Sequence, residues 1–184
     1  MGTREDLLAA AKQCLAERGY ARTTVRDIVA ASGTNLAAIN YHFGTRDKLL
    51  NQAMMESSAT AVQQILASLP DTDTDTDDPA ARLHTFLQQL ITSFTENRAL
   101  WSANVESLAQ ALHSPEIRAE LGNAQALART ELGELFARTG KDSHLGAVLQ
   151  TMIGGLLVQW LVDPDHAPTA ADITTGLRTL ATLA

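Results

Sequence analysis

The chain has one cysteine in 184 residues, so no disulfide can form within it. Aromatic residues make up only 4% of it, and the apolar weight, 45% of all residues, falls mainly on Ala and Leu. No alternation of Val, Ile and Thr is long enough to suggest a strand, so the expected fold class is all-α. No apolar run approaches the length that a membrane-spanning helix needs, and no membrane partner is expected. Residues Met1 to Asp6 are charged and lack the apolar core of a signal peptide, which makes the cytoplasm the expected compartment. Enzyme signatures are missing too. There is no G-x-S-x-G, no H-E-x-x-H, no Gly-rich phosphate loop and no paired acid and base, so no catalytic residue is assigned. His84 and His113 have no metal-ligand spacing with each other or with Cys14, so no metal and no cofactor are expected. Cys14 follows Ala10 and Ala11 on an amphipathic helix and reads as a small core residue, with redox sensing as the alternative.

What is present concentrates in residues 24–48. Thr24 precedes Val25, Arg26 and Asp27, which fits an N-cap with a carboxylate at the third helical position. Ile28 and Val29 supply that helix's apolar side, and Gly33 stands just past its end, where a left-handed residue is favoured. Asn35 can cap a second helix, Leu36 to Tyr41. Gly44 ends it, and Thr45 caps a third with Asp47 in its first turn. Two short helices joined by a Gly turn suit a helix-turn-helix, which lays its second helix in the major groove. An ordinary helical hairpin would be capped in the same way.

The motif residues carry a resemblance. Gly19-Tyr20, Thr23-Thr24-Val25-Arg26-Asp27-Ile28, Gly33, Ile39, Tyr41-His42-Phe43, Thr45-Arg46-Asp47 and Leu49 match the DNA-binding signature of the TetR family of bacterial transcriptional regulators in type and spacing. The likeness covers about residues 3–50. Ala37 stands where that family often has Gly, and Asn40 where it often has Tyr. Both lie on the helix that would read bases, so they bear on which sequence is read. The resemblance implies a three-helix DNA-binding head, residues 1–48, joined by a long helix to a helical ligand-binding and dimerisation body, residues 49–184. It implies a dimeric regulator, a repressor first of all, that binds palindromic operator DNA and is released by a small, largely apolar effector. A regulator without such a ligand, controlled by a protein partner, remains the alternative.

The net charge of −7 speaks against nucleic acid only until the chain is divided. Residues 1–50 hold seven Lys/Arg and five Asp/Glu, a net +2, so the remainder carries −9. DNA meets only the surface that faces it. The residues that would meet it follow from the resemblance. Arg26 can take guanine bidentately, or pair with a neighbouring acid. Leu36, Ala37 and Ala38 open the recognition helix and suit thymine methyls. Asn40 has the groups to pair with adenine, and equally those of a solvated helix residue. Tyr41 and His42 would be phosphate ligands, although a His beside Phe43 is often simply a packed ring. Thr24, Arg46 and Lys48 would hold backbone phosphates from helix starts.

Helices are expected at about 3–18, 24–31, 35–42, 45–68, 79–95, 98–112, 115–138, 143–162 and 169–183. Between the fourth and fifth lies an acidic, low-complexity linker, Pro70 to Pro79. Its alternating Asp residues suggest calcium, but an EF-hand needs Gly at position six and Glu at position twelve, where this chain has Thr76 and Arg82. Leu145 to Val162 is apolar nearly all round, so burial on more than one side is expected. It reads as too short, and too interrupted by Gln150 and Gln159, to span a membrane. Gly154-Gly155 in its middle would let another helix approach closely. With the last helix it could form a four-helix homodimer interface across a two-fold axis, or cap the monomer's own core. The candidate effector site gathers Met54, Phe86, Leu90, Phe94, Trp101, Asn104, Leu108 and Gln150, apolar walls with two amides. The same residues describe an ordinary helical core almost as well.

Overall fold

The computed structural model describes residues 2–69, 78–137 and 142–183, and every regular element among them is a helix. In chain order these are α1 Thr3–Arg18, α2 Val25–Ser32, α3 Leu36–Phe43, α4 Arg46–Ala67, α5 Pro79–Glu96, α6 Arg98–Ala111, α7 Pro115–Phe136, α8 Ser143–Val162 and α9 Ala170–Ala181. The expected ranges hold to within about two residues at each end, the usual uncertainty of helix boundaries. The linker residues 70–77, with the calcium question they raised, lie outside the described residues.

The described chain divides into two compact units. The first holds Met1–Ala61 and Asn97–Leu121, the second Val62–Glu96 and Gly122–Ala184. The expected head, 1–48, lies wholly in the first, together with most of α4, α6 and the start of α7. That unit closes over one apolar cluster. Leu7, Ala11 and Leu15 of α1 meet Ile28, Ile39, Leu49, Leu50 and Met54, all essentially without solvent contact. The spacing of the α1 residues, one helical turn apart, puts them on the stripe that faces α2 and α3. Cys14 is part of this core, as expected.

In the second unit α5 buries Phe86, Leu87, Leu90 and Phe94, packing against α8 and α9. The ring of Phe86 meets Phe136 of α7 edge-on, with centroids 5.4 Å apart. Helices α7 and α8 come together at glycine. A Cβ on Gly146 would fall onto the backbone carbonyl of Arg129, and one on Gly133 onto that of Asp142. Asp142 in turn caps α8, accepting from the N–H groups of His144 and Leu145 at 3.0 and 2.9 Å.

Within the chain the close approach on α8 is made at Gly146, while Gly154 and Gly155 are exposed and an added Cβ there would meet nothing. Two expectations for α8 need correction. The helix is buried on one side only, through Gly146, Leu149, Leu156 and Leu157. Val148, Thr151, Gly155, Val158 and Val162 form an outward stripe at helical spacing, with Val162 77% exposed. Finally, α8 does have the length and composition of a membrane-crossing helix, at 20 residues and a mean hydropathy of 1.7. It carries no Asp, Glu, Lys or Arg, so two glutamines leave the average high. A core or interface helix passes the same test.

The two glycine settings predict opposite effects of the same substitution. Gly146→Ala should lower the unfolding free energy by about 1–3 kcal/mol through backbone overlap. Gly122→Ala, exposed and in open space on α7, should raise it by about 0.5–1 kcal/mol. Urea denaturation of both variants against the parent chain checks the pair.

Candidate nucleic-acid interface

The interface is built by four caps. Thr24 Oγ1 accepts from the Asp27 N–H at 3.3 Å, while Asp27 Oδ2 accepts from the Thr24 N–H at 2.8 Å and its hydroxyl at 2.7 Å. These bonds from Thr24, helped by Arg18 at 3.0 Å, hold the Asp27 carboxyl below the usual carboxylate range. Gly33 then takes φ 66°, ψ 18°, the left-handed turn that ends α2 and costs any other residue strain. Asn35 Oδ1 caps α3 through the Ala38 N–H at 3.0 Å, and Thr45 Oγ1 caps α4 through the Lys48 N–H at 3.1 Å. A fifth device is less obvious. Thr23 is fully buried, and its hydroxyl donates to the carbonyls of Gly19 and Cys14, sealing the turn after α1.

Helix α3 buries Ile39 and Phe43 and turns Leu36, Ala37, Asn40 and Tyr41 outward. Leu36 is 53% and Tyr41 84% exposed, and Ala37 and Asn40 are exposed with them. Ala38 is half-buried against the core. His42 is also half-buried, edge-on to Tyr41 at 4.9 Å, which fits the packed ring. Arg26 is exposed, and Asp27, the acid beside it, is taken by Thr24 and Arg18. Thr24 is exposed at the start of α2.

The two cations of α4 are engaged within the chain. Arg46 turns inward. Its Nε donates to the Thr23 carbonyl at 2.6 Å, its other nitrogens reach the Tyr20 carbonyl and Asp47, and it stacks 5.4 Å from the Tyr20 ring centroid. The Tyr20 hydroxyl, buried and facing the Asp47 charge, is pushed up to about 12. Lys48 forms an ion pair with Glu116 at the start of α7, and that carboxylate, with Glu120 nearby, holds its ammonium above its ordinary pKa. Apart from the neighbouring Asp47, these partners are not readable from local spacing, because Tyr20, Thr23 and Glu116 lie far along the chain.

The candidate effector residues fall in both units. In the first, Met54 and Trp101 are buried, and the Asn104 amide donates to Met54 Sδ at 3.5 Å, while Leu108 is 41% exposed. In the second, Phe86, Leu90 and Phe94 are buried on α5, and Gln150 accepts from Arg129 at 3.2 Å. No group of three or more metal-ligating side chains occurs among the described residues.

Asp27 gives the interface a signature in acid. Its folded pKa lies below the ordinary 3.8, so the stability it contributes is complete above that value and is lost as pH falls through the folded one. Asp27→Asn should therefore lower stability at neutral pH and flatten the decline below about pH 4. Thermal melts of parent and variant across the acid range check this.

Comparison with known proteins follows the same lines as the geometry. Residues 7–53 match the family model of bacterial regulatory proteins of the tetR family, and residues 79–184 that of the BetI-type transcriptional repressor C-terminal region. The repressor AcnR of Corynebacterium efficiens is 34% identical over 65 residues, 35% of this chain, and the match spans only about a third, 35%, of AcnR's own length. The regulator TtgR of Pseudomonas putida is 27% identical over 93% of this chain and 86% of its own. Among solved structures, the multidrug binding protein EbrR, complexed with proflavin, superposes with a TM-score of 0.71 at 21% identity, covering 97% of this chain and 99% of EbrR. A transcriptional regulator from Rhodococcus sp. RHA1 gives 0.65 at 23% identity, covering 96% and 95%. These structures establish the shared fold. The family and these relatives are transcriptional regulators, not enzymes. By its matched head and C-terminal region, this chain belongs to the TetR family of bacterial regulatory proteins.

Proposed function

We propose that the protein is a dimeric, ligand-responsive repressor that binds palindromic operator DNA in the cytoplasm. The observation that carries this is α3, an eight-residue helix capped by Asn35, with Leu36, Ala37, Asn40 and Tyr41 turned to solvent on a buried Ile39–Phe43 base. Its first turn meets base edges. Asn40 pairs with adenine, Leu36 and Ala37 contact thymine methyls, and Ala38 follows from a more recessed position. Arg26 takes guanine from α2. Thr24, Tyr41, His42 and Lys48 position the backbone. Arg46, with its donors spent on Tyr20 and Thr23, acts as a brace for the phosphate-facing turn and adds charge at the α4 start.

One such helix reads few base pairs, so affinity and specificity call for two heads on two half-sites. The outward stripe of α8, with Leu180 and Leu183 exposed near the end of α9, supports a homodimer through these two helices. There the exposed glycines would admit a second copy of α8. The effector is small and largely apolar. The proflavin in the complex of the multidrug binding protein EbrR supports that class. It must bind the DNA-incompetent state more tightly, or operator affinity does not change.

Selection of bound sequences from random duplex DNA at a stated salt concentration tests the reading. A palindrome with half-sites about one helical turn apart, or somewhat more, is expected. Arg26→Ala should relax one position per half-site and weaken binding by about 1–3 kcal/mol. No enrichment by the folded protein refutes the regulator reading. Proflavin titrated against the operator complex should weaken it by about 5–150-fold, a typical coupling between sites. An unchanged affinity at saturating dye removes this class of effector.

A further inference from the structure

We propose that Glu116, with Glu120 one turn further along α7, is an intrachain substitute for a DNA phosphate, holding the Lys48 ammonium until operator DNA displaces it. The inference rests on the regulator reading and deepens it by naming a restraint built into the DNA-binding site.

Lys48 lies in the first turn of α4, beside the Thr45 cap, where the positive end of the helix dipole and a cation together suit an oxyanion. The oxyanion it meets in this chain is a carboxylate from 68 positions later, Glu116. Glu120 shares with Lys48 the rim of a cleft of about 430 Å³, which His42, Phe43, Met55 and Glu56 also line. Lys48 and both acids belong to the same compact unit. The pair is held by a built corner. Ser114 Oγ caps α7 through the Ile117 N–H at 3.3 Å. Arg118 reaches back to the end of α6, donating from Nε to the Ala111 carbonyl at 3.1 Å and from Nη2 to the Leu112 carbonyl at 3.0 Å. The position of Glu116 is therefore tied to that of α6. The acids act by occupying Lys48, so that the lysine must leave them before it can meet a phosphate. A displacement of α6 that draws Glu116 away frees Lys48 for DNA, and one that presses it closer withholds the lysine.

The test is a double-mutant cycle on operator affinity, using the full chain and the DNA sequence enriched by selection. Glu116→Gln should tighten binding by about threefold to tenfold, the scale of one or two exposed ion pairs. It should also steepen the fall of affinity with salt by about one unit per freed lysine. In a Lys48→Met background the same substitution should change affinity by less than about twofold. Glu120→Gln should act in the same direction, and thermal melts of all variants keep folding in view. Equal tightening in both backgrounds assigns the effect to the loss of any negative charge and overturns the proposal, as does no tightening at all with Lys48 present. Should no variant bind any duplex, the regulator reading and the proposal fall together.

Discussion

The head depends on what happens to two backbone carbonyls. The chain leaves α1 at Gly19 and enters α2 at Val25, and between them the carbonyls of Tyr20 and Thr23 point inward, outside any helical ladder. Unpaired carbonyls away from water are costly, and the Arg46 guanidinium is the group that receives them. Its planar fork can serve two acceptors and lie against the Tyr20 ring at once, which a lysine could not do. The same residue starts α4, so the turn before the reading motif and the long helix after it are fixed to each other through one side chain. The orientation of α3 follows from this brace and from the burial of Ile28, Ile39 and Phe43 beneath it.

Much of this was legible in the sequence, for a definite reason. Caps, turns and amphipathic stripes are local, and Thr24, Gly33, Asn35 and Thr45 announce their roles within three or four residues. The helices among the described residues are legible for the same cause. The pairings of Arg46 and Lys48 were not, because a cation at a helix start looks the same whether it faces phosphate, a carbonyl or an acid from another helix. Charge type and exposure read as phosphate contact, and tertiary packing gave both side chains other partners. In α8 the sequence shows an apolar helix with a glycine pair, Gly154 and Gly155, that no other described helix of the chain approaches. The glycine that a neighbour needs is Gly146, where the carbonyl of Arg129 passes, and only the crossing of α7 and α8 reveals it. The apolar outer stripe left on α8 is what a sequence can show but not assign, since burial by the same chain and burial by a second copy require the same residues.

The acidic bias of the chain gains a local meaning from Glu116 and Glu120. Net charge alone argued against DNA, and dividing the chain restored a weakly basic head. The structure brings part of the acidic remainder back, since the start of α7 lies in the head's own unit. Charge relevant to DNA is thus set by which helices pack together as well as by sequence segment.

Cys14 sits on the buried stripe of α1, its carbonyl accepting from the Thr23 hydroxyl. Burial first, and then the charges of Asp27 and Glu17, push its thiol up, which disfavours the reactive thiolate. A sulfhydryl reagent can reach it only when α1 lifts away from the turn that Arg46 braces. The single cysteine therefore works as an internal clock. Its labelling rate counts how often the reading head opens, and any DNA or effector that steadies the head must slow that count.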